Sequence, residues 1–405
     1  TAAKAASVDL EDAGRPAERE MRLRKALAAL PNGVWLRAVG YHEAGGDLLG
    51  REDLDRLAPD HPVRVQHRTG ALWVLNSRAL DLVAGPDAPE ALERDAAGRF
   101  TGRLWRGDAW LQDRIGRTPP PLAPLGAELA RQGVTGLMDA SAGTDAETAG
   151  LLADAVRTGA LPQRLRLMSS GPLAPPADGA FTVGPLKILI DDRDLPPVED
   201  LCGRIMDARA QARSVAVHCV TAAELAVTLA AFEAAGARPG DRIEHGAVIP
   251  QGAIGQIAAL GLAVVSQPGF VFERGDRYLG EVDPPEQPDL WRAASLAAAG
   301  IPLAASSDAP YGPHDPWVAL RAAVARQTRS GRPLGTSERL APADALRLYQ
   351  GGFDRPGGVV RRVERGAEAD LCLLRAPLAE ALNAPTADLV AATFVGGRCV
   401  WRADG

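Results

Sequence analysis

Short apolar runs, each carrying one side chain of a metal-binding type, recur along this chain at intervals close to whole strand-plus-helix units. Residues 186–190 carry Lys187, 214–218 end in His218, 242–246 carry His245 and 301–308 end in Asp308. The steps between those four residues are 31, 27 and 63 positions, against roughly 30 for one strand, its helix and their connections. A barrel of such units gathers the C-terminal ends of its strands around one mouth, so distant residues converge there. Lys, His, His and Asp are donor types that suit zinc or a similar divalent ion.

The flanking periodicity extends the pattern. It predicts an amphipathic helix over 18–30, strands over 34–39 and 63–67, and a helix capped by Asn76. Residues 85–124 are rich in Gly, Pro, Arg and Asp, and read as a loop-rich insertion. From Leu125 the alternation becomes regular, with a helix ending near Gln132 and strands over 134–138, 164–168, 186–190, 215–218, 242–245, 263–266 and 302–306. Helices over 146–157, 198–212, 222–235, 252–260 and 290–299 separate them. The fold class expected is α/β, a distorted (β/α)8 TIM-like barrel or a doubly wound sheet. Nine candidate strands exceed the eight of a barrel, and 63–67 is the first to be left outside. After helices over 316–327 and 342–349, strand-like runs at 366–374 and 392–401 need sheet partners. The expected division is a barrel over 1–357 and part of a small β-sandwich over 358–405.

Bulk properties narrow the function. The chain has 405 residues, and 45 Lys and Arg against 51 Asp and Glu give a net charge of -6, without the basic footprint of a nucleic-acid or anionic-membrane binder. A small molecule is the expected partner, with no nucleic acid and no membrane, and a homodimer is compatible with this reading. Its four cysteines are widely spaced without a CxxC pair, so a reducing cytoplasm is the expected location. Heavy use of Ala, Arg, Gly and Pro suits a GC-rich bacterial genome.

At the strand ends the chemistry is specific by combination. A neutral imidazole at His218 or His245 binds a cation or a substrate oxygen. Asp308, next to such an ion, serves as a general base. Lys187 lies in an apolar strand, where burial favours the neutral amine, and that amine reacts with carbon dioxide to give a bridging carbamate. The structural alternatives are a hydrogen-bonded core histidine, a turn-capping Asp before Pro310 and a lysine reaching solvent. Cys219 points to the opposite face from His218 and reads as an inert buried thiol. Residues His67, Trp73, Tyr311 and His314 are candidates for lining the substrate site, while Arg68 and Arg274 by themselves indicate no anionic substrate.

Taken together, these residues resemble the amidohydrolase superfamily, and more closely amidohydrolase family 3, the YtcJ-like branch. The resemblance runs through Trp35 with Gly40, Pro62-Val63 leading to Asn76-Ser77-Arg78-Ala79-Leu80, Gly133-Val134-Thr135, Leu186-Lys187, Val217-His218, Arg242-Ile243-Glu244-His245, Ser307-Asp308-Ala309-Pro310 and Ala369-Asp370-Leu371 with Gly396-Gly397-Arg398. It implies a metal-bridging carbamate at Lys187, metal-binding His218 and His245, and a metal-linked general base at Asp308, with one or two divalent ions, zinc by preference. Two departures stand out. No His-x-His pair occurs among the six histidines, and the loop after Lys187, residues 191–194, is short. The expected explanation of the first is a chain that starts just after that pair in a longer protein, and the alternative is a pseudoenzyme that binds a small molecule. The function implied is hydrolysis of an amide or other non-peptide C–N bond, with ester or lactone hydrolysis, or decarboxylation, as the runner-up.

Overall fold

A computed structural model describes residues 2–11, 13–43, 48–116 and 119–404. The chain forms two units, Thr1–Pro121 and Leu122–Gly405. In the first, six strands make one sheet: β1 (Val8–Asp9), β2 (Leu36–Tyr41), β3 (Val63–His67), β4 (Leu72–Leu75), β5 (Leu92–Arg94) and β6 (Phe100–Trp105). Their order is β1-β2-β3-β4-β6-β5. The first three run parallel and the others pair antiparallel. Val63–His67 is therefore an inner strand, because Val63 and Val65 alternate into a core with Leu36, Ala38, Leu72 and Val74.

Asn76 caps the helix Ser77–Val83 as its sequence predicts, and it does more. It is fully buried; its Oδ1 accepts from the amides of Ala79 and Val63, and its Nδ2 donates to the carbonyls of Ala58 and His61. The loop-rich reading of 85–124 is corrected. That stretch holds β5, β6 and the helix Asp108–Ile115, whose Leu92, Leu104 and Leu111 share a core. Gly102, one of the glycines in that stretch, sits inside β6 at φ +87°, where a Cβ would meet the carbonyl oxygen of Leu75.

In the second unit seven strands follow one another across a sheet: β7 (Gly136–Asp139), β8 (Arg164–Ser169), β9 (Thr182–Ile188), β10 (Val215–Cys219), β11 (Arg242–His245), β12 (Ala263–Ser266) and β13 (Leu303–Ala305). All pairings are parallel, which is the succession of a barrel wall. Ile188, Val217, Ile243, Val264 and Leu303 pack outward against Leu201, Ile205, Leu229, Phe232 and Leu296 of the helices. Each such burial contributes about 1.5–3 kcal/mol. On the other face, Arg242 Nη2 of β11 lies 2.8 Å from Met138 Sδ of β7. Four strand spacings of about 4.8 Å would hold a flat sheet's strands ~19 Å apart, so the sheet curls.

Two helices differ from expectation. Gly269–Glu281 is helical where none was expected, and 290–299 shortens to Ala294–Ala298. The first hides its period behind Arg274, Gly275, Asp276 and Arg277, burying only Gly269, Phe270, Val271 and Gly275. At the C-terminus β14 (Leu371–Leu374), β15 (Val390–Val395) and β16 (Arg398–Arg402) form an antiparallel sheet. It rests on the helix Ala123–Arg131, where Thr393 Oγ1 donates to the Ala130 carbonyl. Among the described residues no helix is long and apolar enough to cross a membrane.

Candidate functional site

Strand register decides which side chains share the inner face of the curled sheet. Ala216 pairs with Lys187, and His218, two residues on, points the same way. His218 in turn pairs with Glu244, so Lys187, His218, Arg242 and Glu244 stand on one face. By the same alternation His245 belongs with its partner Cys219 on the opposite face. It escapes because its φ is +72°, a left-handed conformation that costs a non-glycine residue about 1–2 kcal/mol. The turn brings its ring against His218, edge to face, with centroids 4.5 Å apart.

Asp308 makes a similar turn three residues beyond β13, at φ +48°, and places Oδ2 4.0 Å from His245 Nδ1. That is beyond hydrogen-bond range. The Nδ1 partner is instead Gln267 Oε1, at 3.0 Å. Gln267, 1% exposed, donates from Nε2 to Ser306 Oγ at 2.7 Å. The loop after His218 is held by a capping box, in which Glu224 Oε2 accepts from the amides of Val220 and Thr221 while Thr221 Oγ1 accepts from the Glu224 amide.

Burial shapes the charges. It lowers the pKa of His245 to about 4, helped by Lys187 and His218 and opposed by Glu244 and Gln267. His218 is lowered as well, by burial and then by Lys187. Both imidazoles are neutral near pH 7 and keep a lone pair for a cation. Burial lifts Asp308 to about 6, against the pull of Lys187 and Arg274. Lys187, 3% exposed, is lowered by burial, with Glu244 opposing. Burial pushes Glu244 up, but Arg242, Lys187 and His245 outweigh it and hold the carboxyl below its ordinary value. Glu244 Oε1 accepts from Arg242 Nε at 2.6 Å.

Thus Lys187, His218, His245 and Asp308, from four stretches of sequence, meet at the C-terminal ends of parallel strands. Neutral imidazoles and a carboxylate are the donors a divalent ion takes, and by that chemistry the residues fit one. Among the described residues no three His, Cys, Asp or Glu side chains are grouped closely enough to hold an ion by themselves. The fit is to part of a coordination shell. Cys219 is not a candidate donor here: it is buried on the outer face with its Sγ 3.2 Å from Thr228 Oγ1, and burial pushes its thiol pKa up.

The remaining candidates are placed differently. Tyr311 follows Asp308 by one turn, its amide donating to the Asp308 carbonyl, and is well exposed. His314 is half-buried and acts electrostatically on Glu128 and Asp315. Residues His67 and Trp73 belong to the first unit. There His67 contacts Thr69 Oγ1 and Glu43 Oε2, and the buried Trp73 donates its indole N–H to Asp108 while the guanidinium groups of Arg37 and Arg64 lie over its ring. Sequence reading missed Gln267 and Ser306; an amide and a hydroxyl at the ends of β12 and β13 carry no signal until their strands are seen side by side.

A parallel, curled strand succession with imidazoles and a carboxylate at its C-terminal rim defines the class of barrel hydrolases. The chain belongs to the amidohydrolase family, whose model Amidohydro_3 matches residues 3–401, and is a hydrolase acting on carbon–nitrogen bonds. It is similar to the N-substituted formamide deformylase of Arthrobacter pascens, 25% identical over 378 residues covering 79% of this chain and 69% of the relative. The putative amidohydrolase YtcJ of Bacillus subtilis (strain 168) is 27% identical over 395 residues, 84% of this chain and 74% of that protein. Among solved structures, an uncharacterized metal-dependent hydrolase from Pyrococcus horikoshii OT3 shares the fold with a TM-score of 0.69 at 21% identity, covering 86% of this chain and 77% of its own.

Proposed function

We propose that this protein hydrolyses an amide or other non-peptide C–N bond of a small molecule at a divalent metal centre, zinc by donor type. The observation that carries the reading is the 4.5 Å approach of the His218 and His245 rings beside the Asp308 carboxylate, each from a different strand end. Residues His218, His245, Asp308 and Lys187 would hold the ion. A bound divalent cation supplies Lewis acidity and makes water acidic enough to attack near neutral pH.

Each residue has a separate task. His245, neutral above pH of about 4, keeps its ring fixed through Gln267 and would offer its other nitrogen to the ion. Asp308, with a pKa of about 6, is poised to take a proton on Oδ2 from the attacking water and return it to the leaving nitrogen. For Lys187, burial favours the free amine, which on reaction with carbon dioxide forms an N–C bond and releases a proton. That carbamate belongs to the proposal. So do the barrel boundary near residue 357, a cytoplasmic location and a homodimer.

The name of the Arthrobacter pascens relative makes N-substituted formamides the first substrates to try. The test is metal content by mass spectrometry together with amine release from such a formamide. Stoichiometric zinc and turnover, both lost in His218→Ala and His245→Ala, is the expected result. A folded protein that takes up no divalent ion overturns the reading.

A further inference from the structure

The helix Gly269–Glu281 places a cation beside the rim that nothing in the reaction above uses. Arg274 lies one turn on from Phe270, its guanidinium carbon 4.3 Å from the centroid of that ring and 5.9 Å from the centroid of Tyr311. Its Nη2 donates to the Tyr311 carbonyl at 2.7 Å. Two short links tie this group to the centre. The Tyr311 amide bonds the Asp308 carbonyl at 2.8 Å, and the Phe270 amide bonds the carbonyl of Gln267, at 3.0 Å, whose side chain holds His245.

Among the described residues, no carboxylate lies within ion-pair distance of Arg274. The acids on its own helix are committed elsewhere: Glu273 to Arg329, Asp276 to Thr328 and Ser330, and Glu281 to Arg277. A guanidinium offers five N–H donors in a rigid fork matched to a planar oxyanion; here one goes to the Tyr311 carbonyl and another is directed at the Tyr278 side chain. One face is backed by the Phe270 ring, and the half-buried side chain lies beside exposed Tyr311.

We propose that Arg274 is the anchor for an anionic group of the substrate, so that the preferred compounds are amides bearing a carboxylate. The assignment rests on the hydrolase reading above and adds the substrate class to it. Arg274 binds and orients the carboxylate. It moves no proton.

The probes are phenylacetylglycine and its neutral glycinamide counterpart for turnover. For equilibrium binding, the ketomethylene analogues of the same pair, with CH2 in place of the scissile N–H, are titrated calorimetrically. The carboxylate analogue is expected to bind about 30-fold tighter than the carboxamide, the size of one charge-assisted contact. Arg274→Gln erases that preference by weakening the carboxylate alone, and Arg274→Lys restores part of it, because the charge returns without the fork. Equal binding of the two analogues by the unaltered protein overturns the proposal, as does an unchanged preference in folded Arg274→Gln. Carboxylate-selective binding by a folded protein that takes up no divalent ion and turns over neither these amides nor the formamides sinks the hydrolase reading instead, so the two failures are told apart.

Discussion

The Nδ1 of His245 and the Oε1 of Gln267 are 3.0 Å apart, and the Gln267 amide is oriented in turn by Ser306 Oγ at 2.7 Å. With Nε2 of the amide donating to the hydroxyl, its oxygen faces the ring. Nδ1 then carries the hydrogen and Nε2 of His245 keeps the lone pair. Gln267→Leu therefore lowers kcat or metal affinity by about 10–100-fold, with an unchanged circular dichroism spectrum. Nitrogen NMR of histidine-labelled protein reads the cause directly, as a change in which His245 nitrogen is protonated.

Asp308 and His245 give the metal-free protein opposite pH dependences. A carboxyl raised from 3.8 to about 6 binds more protons in the folded chain than in the unfolded one. Its contribution is complete below the unfolded pKa and is lost as pH rises through about 6. Asp308→Asn, compared with the unaltered protein by urea unfolding in chelator, is expected to gain relative stability from about pH 4 to about pH 7.

His245 runs the other way. Its pKa falls from 6.5 to about 4, so the unfolded chain binds the extra proton across that window, and stability falls as pH falls through it. His245→Gln is expected to be relatively most stable at the acid end. A parallel pH series for the two variants checks the signs against each other.

The Arg242–Glu244 pair is buried on both sides. Removing one partner leaves a buried charge without its counter-ion, a loss of about 3–5 kcal/mol. Glu244→Leu is expected to show that drop in denaturant unfolding, and the double variant Arg242→Met with Glu244→Leu to recover most of it.

In the first unit, Asn76→Ala deletes four hydrogen bonds at once and orphans the amide of Val63 and the carbonyls of Ala58 and His61. The expected destabilisation is about 2–4 kcal/mol. Faster amide exchange at Val63 and Ala79 is the local readout.

Much of the strand succession was legible because a parallel sheet buried on both faces needs near-continuous apolar runs, and β11 and β12 have the bounds that their sequence predicts. The stretch 85–124 was not legible, since its Gly and Pro content reads as loop when only neighbours along the chain are in view. The helix Gly269–Glu281 was hidden for a related reason: Arg274 and Asp276 face loops and interrupt the period without interrupting the helix.

What the sequence determined by itself was the spacing of Lys187, His218 and Asp308 along repeating units, and so their arrival at strand ends of one parallel sheet. Only the tertiary structure decided the rest. Alternation along β11 sends His245 to the outer face, and it is a left-handed turn, held by Gln267 from the next strand, that swings the ring to His218. Strand periodicity is a local property of the backbone, whereas a side chain's final aim depends on hydrogen bonds from residues distant along the chain.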